Sequence, residues 1–190
     1  TSSQICIGCE TTPYKYANNV SLEDKFWLKD MNYSLLDIFG GKKEIARIFE
    51  GGQVYQGFLS ATRYHRWQCP LDGDLIASWV QPGTYFAQRP MQNETVGTFE
   101  GTESQPYLGH VATRAIFLFR NDACGLVAMI CIGMVEVSTC FIEPRFRRQL
   151  GDPLLPVQQG EMIGKFEFGG STHMLTFMKG TALLADFAVN

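Results

Sequence analysis

The residues whose types and spacing could do chemistry lie in two short stretches. In Phe166–Leu175 (FEFGGSTHML) the paired glycines Gly169 and Gly170 run straight into Ser171, Thr172 and His173. Glycine opens backbone conformations that a Cβ forbids, so the Gly170 carbonyl can be bent towards a neighbouring side chain. The same residues would also make an ordinary hairpin turn with a polar tip. In Tyr64–Leu75 (YHRWQCPLDGDL) His65 lies close to the aromatics Tyr64 and Trp67, ahead of a Pro70-Leu71-Asp72-Gly73 turn. An imidazole titrates near neutrality and can move protons, although a lone histidine is equally at home as a satisfied, partly buried side chain.

Other chemistries find little support. Six cysteines are scattered, and Cys6-Ile-Gly-Cys9 has no second CxxC or paired histidines beside it. No metal site is expected; free thiols in a reducing, cytoplasmic compartment fit better. A net charge of -3 leaves no electrostatic footprint for nucleic acid. The dense basic cluster, Arg145, Arg147 and Arg148, reads as a solvated loop or a weak anion contact. The longest apolar run, Gly125–Val137, is too short to span a bilayer. No signal peptide is evident. Thr1 is not a natural start, so a processed product or fragment is expected.

The elements that must position these residues look mainly β. Short runs rich in Val, Ile, Phe and Thr predict strands at Lys25–Lys29, Gly52–Ser60, Gly73–Trp79, Ala115–Phe119, Leu126–Ile132, Val135–Ile142 and Leu175–Met178. Ser34 caps a helical LLDIF, and KKEIARIF after Gly40-Gly41 continues as helix, with Ile45, Ile48 and Phe49 on one face. Gln88–Gln105 reads as a long loop or flap, and Arg145–Gln159 as a proline-rich excursion. Neither an internal repeat nor a linker interrupts the chain, which predicts one domain over residues 1–190.

The order of motifs is more informative than any one of them. Tyr64-His65-Arg66, Pro70-Leu71-Asp72-Gly73, Pro82-Gly83, Gly133-Met134-Val135, Gly160-Glu161-Met162-Ile163-Gly164-Lys165-Phe166 and Gly170-Ser171-Thr172 follow one another. This succession resembles the phosphatidylserine decarboxylase family from about Lys25 to Phe177. The aromatic-rich YHRW and the doubled glycine look more like its fungal branch, which includes decarboxylases of aromatic amino acids such as tryptophan. The resemblance implies a two-sheet sandwich or flattened barrel with one or two short helices.

It also implies a self-processing chain. In that family the serine attacks the preceding glycine carbonyl to give an ester, and elimination then cuts the chain and leaves a pyruvoyl group. Here the break would fall between Gly170 and Ser171. The pyruvoyl ketone condenses with an amino acid's amine and takes up the electrons released as carbon dioxide leaves. Written with an ordinary Ser171, the chain reads as an uncleaved proenzyme.

The carry-over assigns Ser171 as the prosthetic-group precursor and His65 to the substrate carboxylate or product carbanion. Glu10 and His173 would assist proton transfer. Glu10, in Cys9-Glu10-Thr11-Thr12-Pro13, stands where the family has an aspartate in a P-A-D-G-like segment. The family usually carries a second histidine in YHR-x-H, and this chain has Gln68 there, which cannot take a proton. Tyr64, Trp67, Phe166, Phe168, Gly170 and Thr172 would line the substrate site. The expected partner is a small molecule, an amino acid rather than a phospholipid, with a homo-oligomer in view. The alternative is a non-processing scaffold reused as a lyase, cyclase or isomerase on a small biosynthetic intermediate; a silent binding or regulatory homologue is a third reading.

Overall fold

The computed structural model describes residues 4–23, 33–60, 63–84, 105–133, 139–167 and 171–181, with the side chains of 105–107, Thr139 and Ser171 outside that description. Among these residues ten strands follow in order: β1 (Thr12–Asn18), β2 (Gln53–Leu59), β3 (Arg66–Gln68), β4 (Gly73–Gln81), β5 (Arg114–Asn121), β6 (Gly125–Gly133), β7 (Thr139–Ile142), β8 (Leu155–Val157), β9 (Met162–Glu167) and β10 (Ser171–Phe177). Among the described residues three helices, α1 (Leu35–Ile38), α2 (Lys43–Ile48) and α3 (Gln105–Val111), accompany them.

Seven strands form one antiparallel sheet in the order β1-β2-β10-β6-β5-β4-β8, and three form a second, β3-β9-β7. The sheets face each other as a sandwich, as expected, and neither closes into a barrel. The helices add a third layer on the outer face of the larger sheet. Residues alternate accordingly: Ala115, Phe117 and Phe119 of β5, with Val127, Met129 and Cys131 of β6, join Trp67, Ile142, Ile163 and Phe166 between the sheets. Ile116, Leu118, Ala128, Ile130 and Ile132 instead meet Leu35, Ile38, Phe39, Ile45 and Leu108 of the helices. Both faces of β5 and β6 are covered, so their sequences are continuously apolar rather than alternating.

The two short helices begin where the sequence indicates. Ser34 is the N-cap of α1, its hydroxyl accepting from the Asp37 N–H. In α2, Ile45 is buried and Ile48 only partly so, with Phe49 fully enclosed just after it. Arg114 is buried beneath α1, donating to the carbonyls of Ile38 and Ala112 at 2.7 Å each and of Asp37 at 2.5 Å. Those carbonyls include ones that a helix end leaves without partners.

Several boundaries move. β10 starts at Ser171 rather than at Leu175, and β1, β3, β8, β9 and α3 add to the expected elements. Arg145–Gln159 contains a 3₁₀ turn, Pro144–Phe146, and β8, which pairs with β4. The Lys25–Lys29 strand lies outside the described residues, as do nearly all of the Gln88–Gln105 loop and the start of Val135–Ile142. The hairpin reading of FEFGGSTHML is corrected. β9 belongs to the small sheet and β10 to the large one, so the glycines join strands that do not pair.

Candidate active site

His65 ends the loop that leads into β3. Its carbonyl accepts from the Phe166 N–H at 2.8 Å, extending the β3–β9 pairing by one residue beyond Arg66 and Lys165. Its ring meets Phe166 edge-on, with centroids 6.3 Å apart. Nδ1 lies 2.5 Å from the Arg63 carbonyl oxygen, while Nε2 is buried without a hydrogen-bond partner among the described residues. A carbonyl only accepts, so Nδ1 carries the proton and Nε2 presents a lone pair.

Glu10 reaches the same loop but holds its backbone and Arg63 rather than the imidazole. It accepts from Arg63 Nη1 at 3.0 Å and from the Tyr64 N–H at 3.3 Å. The Tyr64 amide, and then Arg63, hold its carboxyl below the usual carboxylate range, so it is ionised and solvent-exposed. The neighbouring residues serve other parts of the site. Gly8 accepts from the Gln68 N–H at 2.8 Å, and Thr11 Oγ1 lies 3.4 Å from His173 Nδ1. Gly57 has to be small here, because a Cβ would sit 2.4 Å from Thr11 Oγ1.

Ser171 is the first residue of β10, paired with Leu59 of β2 and Gly133 of β6. Thr172 and His173 follow, both fully buried. Thr172 donates to the Gly57 carbonyl at 2.9 Å and accepts from Gln56 Nε2 at 3.1 Å. His173 packs edge-on against Tyr55, and its Nε2 has no partner among the described residues. Burial pushes its pKa down to about 3, so it is a neutral imidazole at physiological pH.

Of the expected substrate-lining residues, Tyr64 is exposed and Phe166 is buried beside His65. Trp67 has no exposed surface: it packs edge-on against Phe117 and Phe166, and against Gly164, where a Cβ would meet its ring at 2.4 Å. Its place is in the core, supporting Phe166. Gln68 is partly buried in β3. Phe168, Gly170 and the Ser171 side chain lie outside the described residues. The structure therefore gathers Glu10, Tyr64, His65 and Phe166 at one place and Thr11, Tyr55 and His173 on one face of the large sheet, while Thr172 turns to the other face beside Gln56 and Tyr33 and does not line a site shared with them. Arg63, Thr11 and Gln56 were not read as site residues; only Arg63, adjoining the YHR motif, carried any local signal.

Elsewhere, the basic cluster is spent on local structure. Arg145 pairs with Glu161, Arg147 donates to the Ile142 carbonyl at 3.0 Å, and Arg148 donates to the Pro153 carbonyl. All six cysteines are free thiols, and burial pushes those of Cys69 and Cys140 up to about 12. Among the described residues, no group of His, Cys, Asp or Glu is arranged to hold a metal, and no helix is long and apolar enough to cross a membrane.

A two-layer sandwich with a helical cover, carrying YHR at the edge of one sheet and G-S-T at the start of a central strand of the other, has a match among known families. Residues 3–189 match the family described as phosphatidylserine decarboxylase. The chain belongs to this family. It is 38% identical over 180 residues to the decarboxylase iboD of Amanita muscaria (strain Koide BX008), covering 89% of this chain and 49% of that protein. It is 32% identical over 191 residues to an L-tryptophan decarboxylase of Psilocybe cyanescens, covering 95% of this chain and 42% of the relative. A phosphatidylserine decarboxylase proenzyme of Pseudoalteromonas atlantica (strain T6c / ATCC BAA-1087) is 27% identical over 178 residues, 86% of this chain and 58% of its own. The chain thus spans about half the length of the curated relatives it matches.

Proposed function

We propose that this chain carries the catalytic machinery of a pyruvoyl-dependent amino-acid decarboxylase, matured by cleavage between Gly170 and Ser171. The observation that carries the reading is His65, whose Nδ1 is bound to the Arg63 carbonyl while Nε2 is buried with no hydrogen-bond partner among the described residues. A buried nitrogen kept this way is costly unless a reacting group uses it. The Phe166 contact puts His65 beside β9, the strand that precedes the glycines and Ser171 in the sequence.

In maturation the Ser171 hydroxyl adds to the Gly170 carbonyl, and the peptide nitrogen leaves as an amine, giving an ester. Loss of the Ser171 α-proton expels the Gly170 carboxylate, and water then replaces the nitrogen as ammonia. The buried, neutral His173, whose Nε2 has no partner among the described residues, suits a small ketone whose oxygens accept hydrogen bonds. When formed, the pyruvoyl group supplies an electron sink for decarboxylation. His65 Nε2 accepts a proton and returns it to the carbon that has lost carbon dioxide. Glu10 holds the loop that aims His65, and His173 offers a neutral hydrogen-bonding group. Tyr64 and Phe166 near His65, together with the Psilocybe relative's description, support an aromatic amino acid as substrate. Six free thiols are in keeping with a reducing cytoplasm.

Gln68 favours a second reading, a scaffold that never cleaves and acts as a lyase, cyclase or isomerase, because a carboxamide cannot take the proton a second histidine would. A denaturing mass spectrum separates the two. Maturation yields fragments 1–170 and 171–190, the smaller lighter by one ammonia than simple hydrolysis would leave it. A chain that stays whole after long incubation moves the assignment to the scaffold. Tryptophan should raise the thermal midpoint of the folded chain. Co-sedimentation with anionic vesicles and no response to aromatic amino acids would point to a phospholipid instead.

A further inference from the structure

We infer that Tyr33, Gln56 and Thr172 form a buried hydrogen-bonded line that fixes the start of β10 for cleavage at the peptide bond before it, which makes Thr172 a positioning residue; the inference rests on the maturation proposed above. The Tyr33 hydroxyl donates to Gln56 Oε1 at 2.7 Å, Gln56 Nε2 donates to Thr172 Oγ1 at 3.1 Å, and Thr172 donates to the Gly57 carbonyl at 2.9 Å. Tyr33 is 2% exposed, and Gln56 and Thr172 are 0% exposed. Each link fixes the next. The phenol proton goes to the carboxamide oxygen, which turns the amide N–H towards Thr172 and leaves the threonine proton for Gly57. Thr172 is thereby committed as both donor and acceptor and does not compete with its neighbour as a nucleophile.

The line lies in the layer between the large sheet and the helices, where Tyr33 and Met174 also pack. The next residue, His173, faces Thr11 and Tyr55 on the opposite side of the sheet. The two residues after Ser171 are therefore gripped from both faces, while β2 and β6 hold the strand edge to edge. An acyl shift needs hydroxyl and carbonyl carbon in close contact, and a misplacement of about 1 Å can cost roughly 10²-fold in rate. The constraint comes from the Thr172 side.

The test follows cleavage during cell-free synthesis of the chain, with thermal midpoints measured separately in a Ser171→Ala background that cannot process. Thr172→Val should slow release of the 171–190 fragment by about tenfold or more, the scale of one lost hydrogen bond. Thr172→Ser, which keeps the hydroxyl, should stay within about twofold of the unsubstituted rate. Tyr33→Phe removes only the far hydroxyl and should also slow cleavage, which guards against a folding failure in the valine variant. Cleavage of Thr172→Val at the unsubstituted rate, or Thr172→Ser as slow as Thr172→Val, overturns the inference alone. No cleavage in the unsubstituted chain overturns the maturation reading and this inference with it.

Discussion

The Nδ1 nitrogen of His65 faces the Arg63 carbonyl oxygen at 2.5 Å, two residues back in its own loop. That contact sets the tautomer and leaves Nε2 as the nitrogen with a free lone pair, the one proposed to move the proton. An asparagine can imitate the Nδ1–H donor but has nothing at Nε2. His65→Asn should therefore keep the thermal midpoint near that of the unsubstituted chain while lowering carbon dioxide release by about 10²-fold or more. Turnover of tryptophan by the matured protein, read beside a melting curve, checks this. Near-normal turnover would remove His65 from the chemistry.

Gln68 sits in β3, its backbone tied to Gly8, so the fold already presents a side chain at that position. Replacing it by histidine adds a proton acceptor at little cost to a partly buried site. Gln68→His should speed the appearance of the 171–190 fragment, as read from a time course of intact masses. An unchanged time course would mean that the carboxamide is not what limits processing.

His173 makes stability depend on pH in a defined direction. Burial lowers its pKa from 6.5 to about 3, so between those values the unfolded chain binds a proton that the folded chain refuses. Stability contributed by this site is therefore lost as pH falls from 6.5 towards 3, at up to about 1.4 kcal/mol per pH unit, and is constant above 6.5. His173→Gln should shrink the stability difference between pH 7 and pH 4.5 by about 2 kcal/mol, measured by urea unfolding at both values.

Arg114 is the structural counterpart of these site residues. Its guanidinium binds the carbonyls of Asp37 and Ile38 at the end of α1 and of Ala112 just after α3. Arg114→Met fills similar space but takes the guanidinium from the Ile38 and Ala112 carbonyls, while Asp37 keeps the Gly40 N–H, and should lower stability by about 2–4 kcal/mol. Equilibrium unfolding tests the size of the effect. A neutral result would mean that water or a backbone shift replaces the guanidinium.

Local patterns wrote a good part of this molecule into its sequence. The Ser34 cap, the apolar face of α2 and the long runs of β5 and β6 follow from capping, periodicity and burial on both sides, which neighbouring residues determine. The succession from YHR to G-S-T placed the chain in its family. What the sequence left undecided depended on partners far along the chain. Residues 166–175 look like a hairpin until β9 and β10 are seen in different sheets. Three-residue strands such as β3 and β8 have too little pattern to show without their partners. Trp67 reads as a cleft wall beside His65, yet Gly164 opens a slot that draws its ring into the core. Glu10 and Arg63 lie 53 positions apart, and Gln56 and Thr172 lie 116 apart. No periodicity links residues so distant; only the folding of the N-terminal segment against the loop of His65 brings a carboxylate there, and only the pairing of β2 with β10 brings a carboxamide to the strand that Ser171 begins.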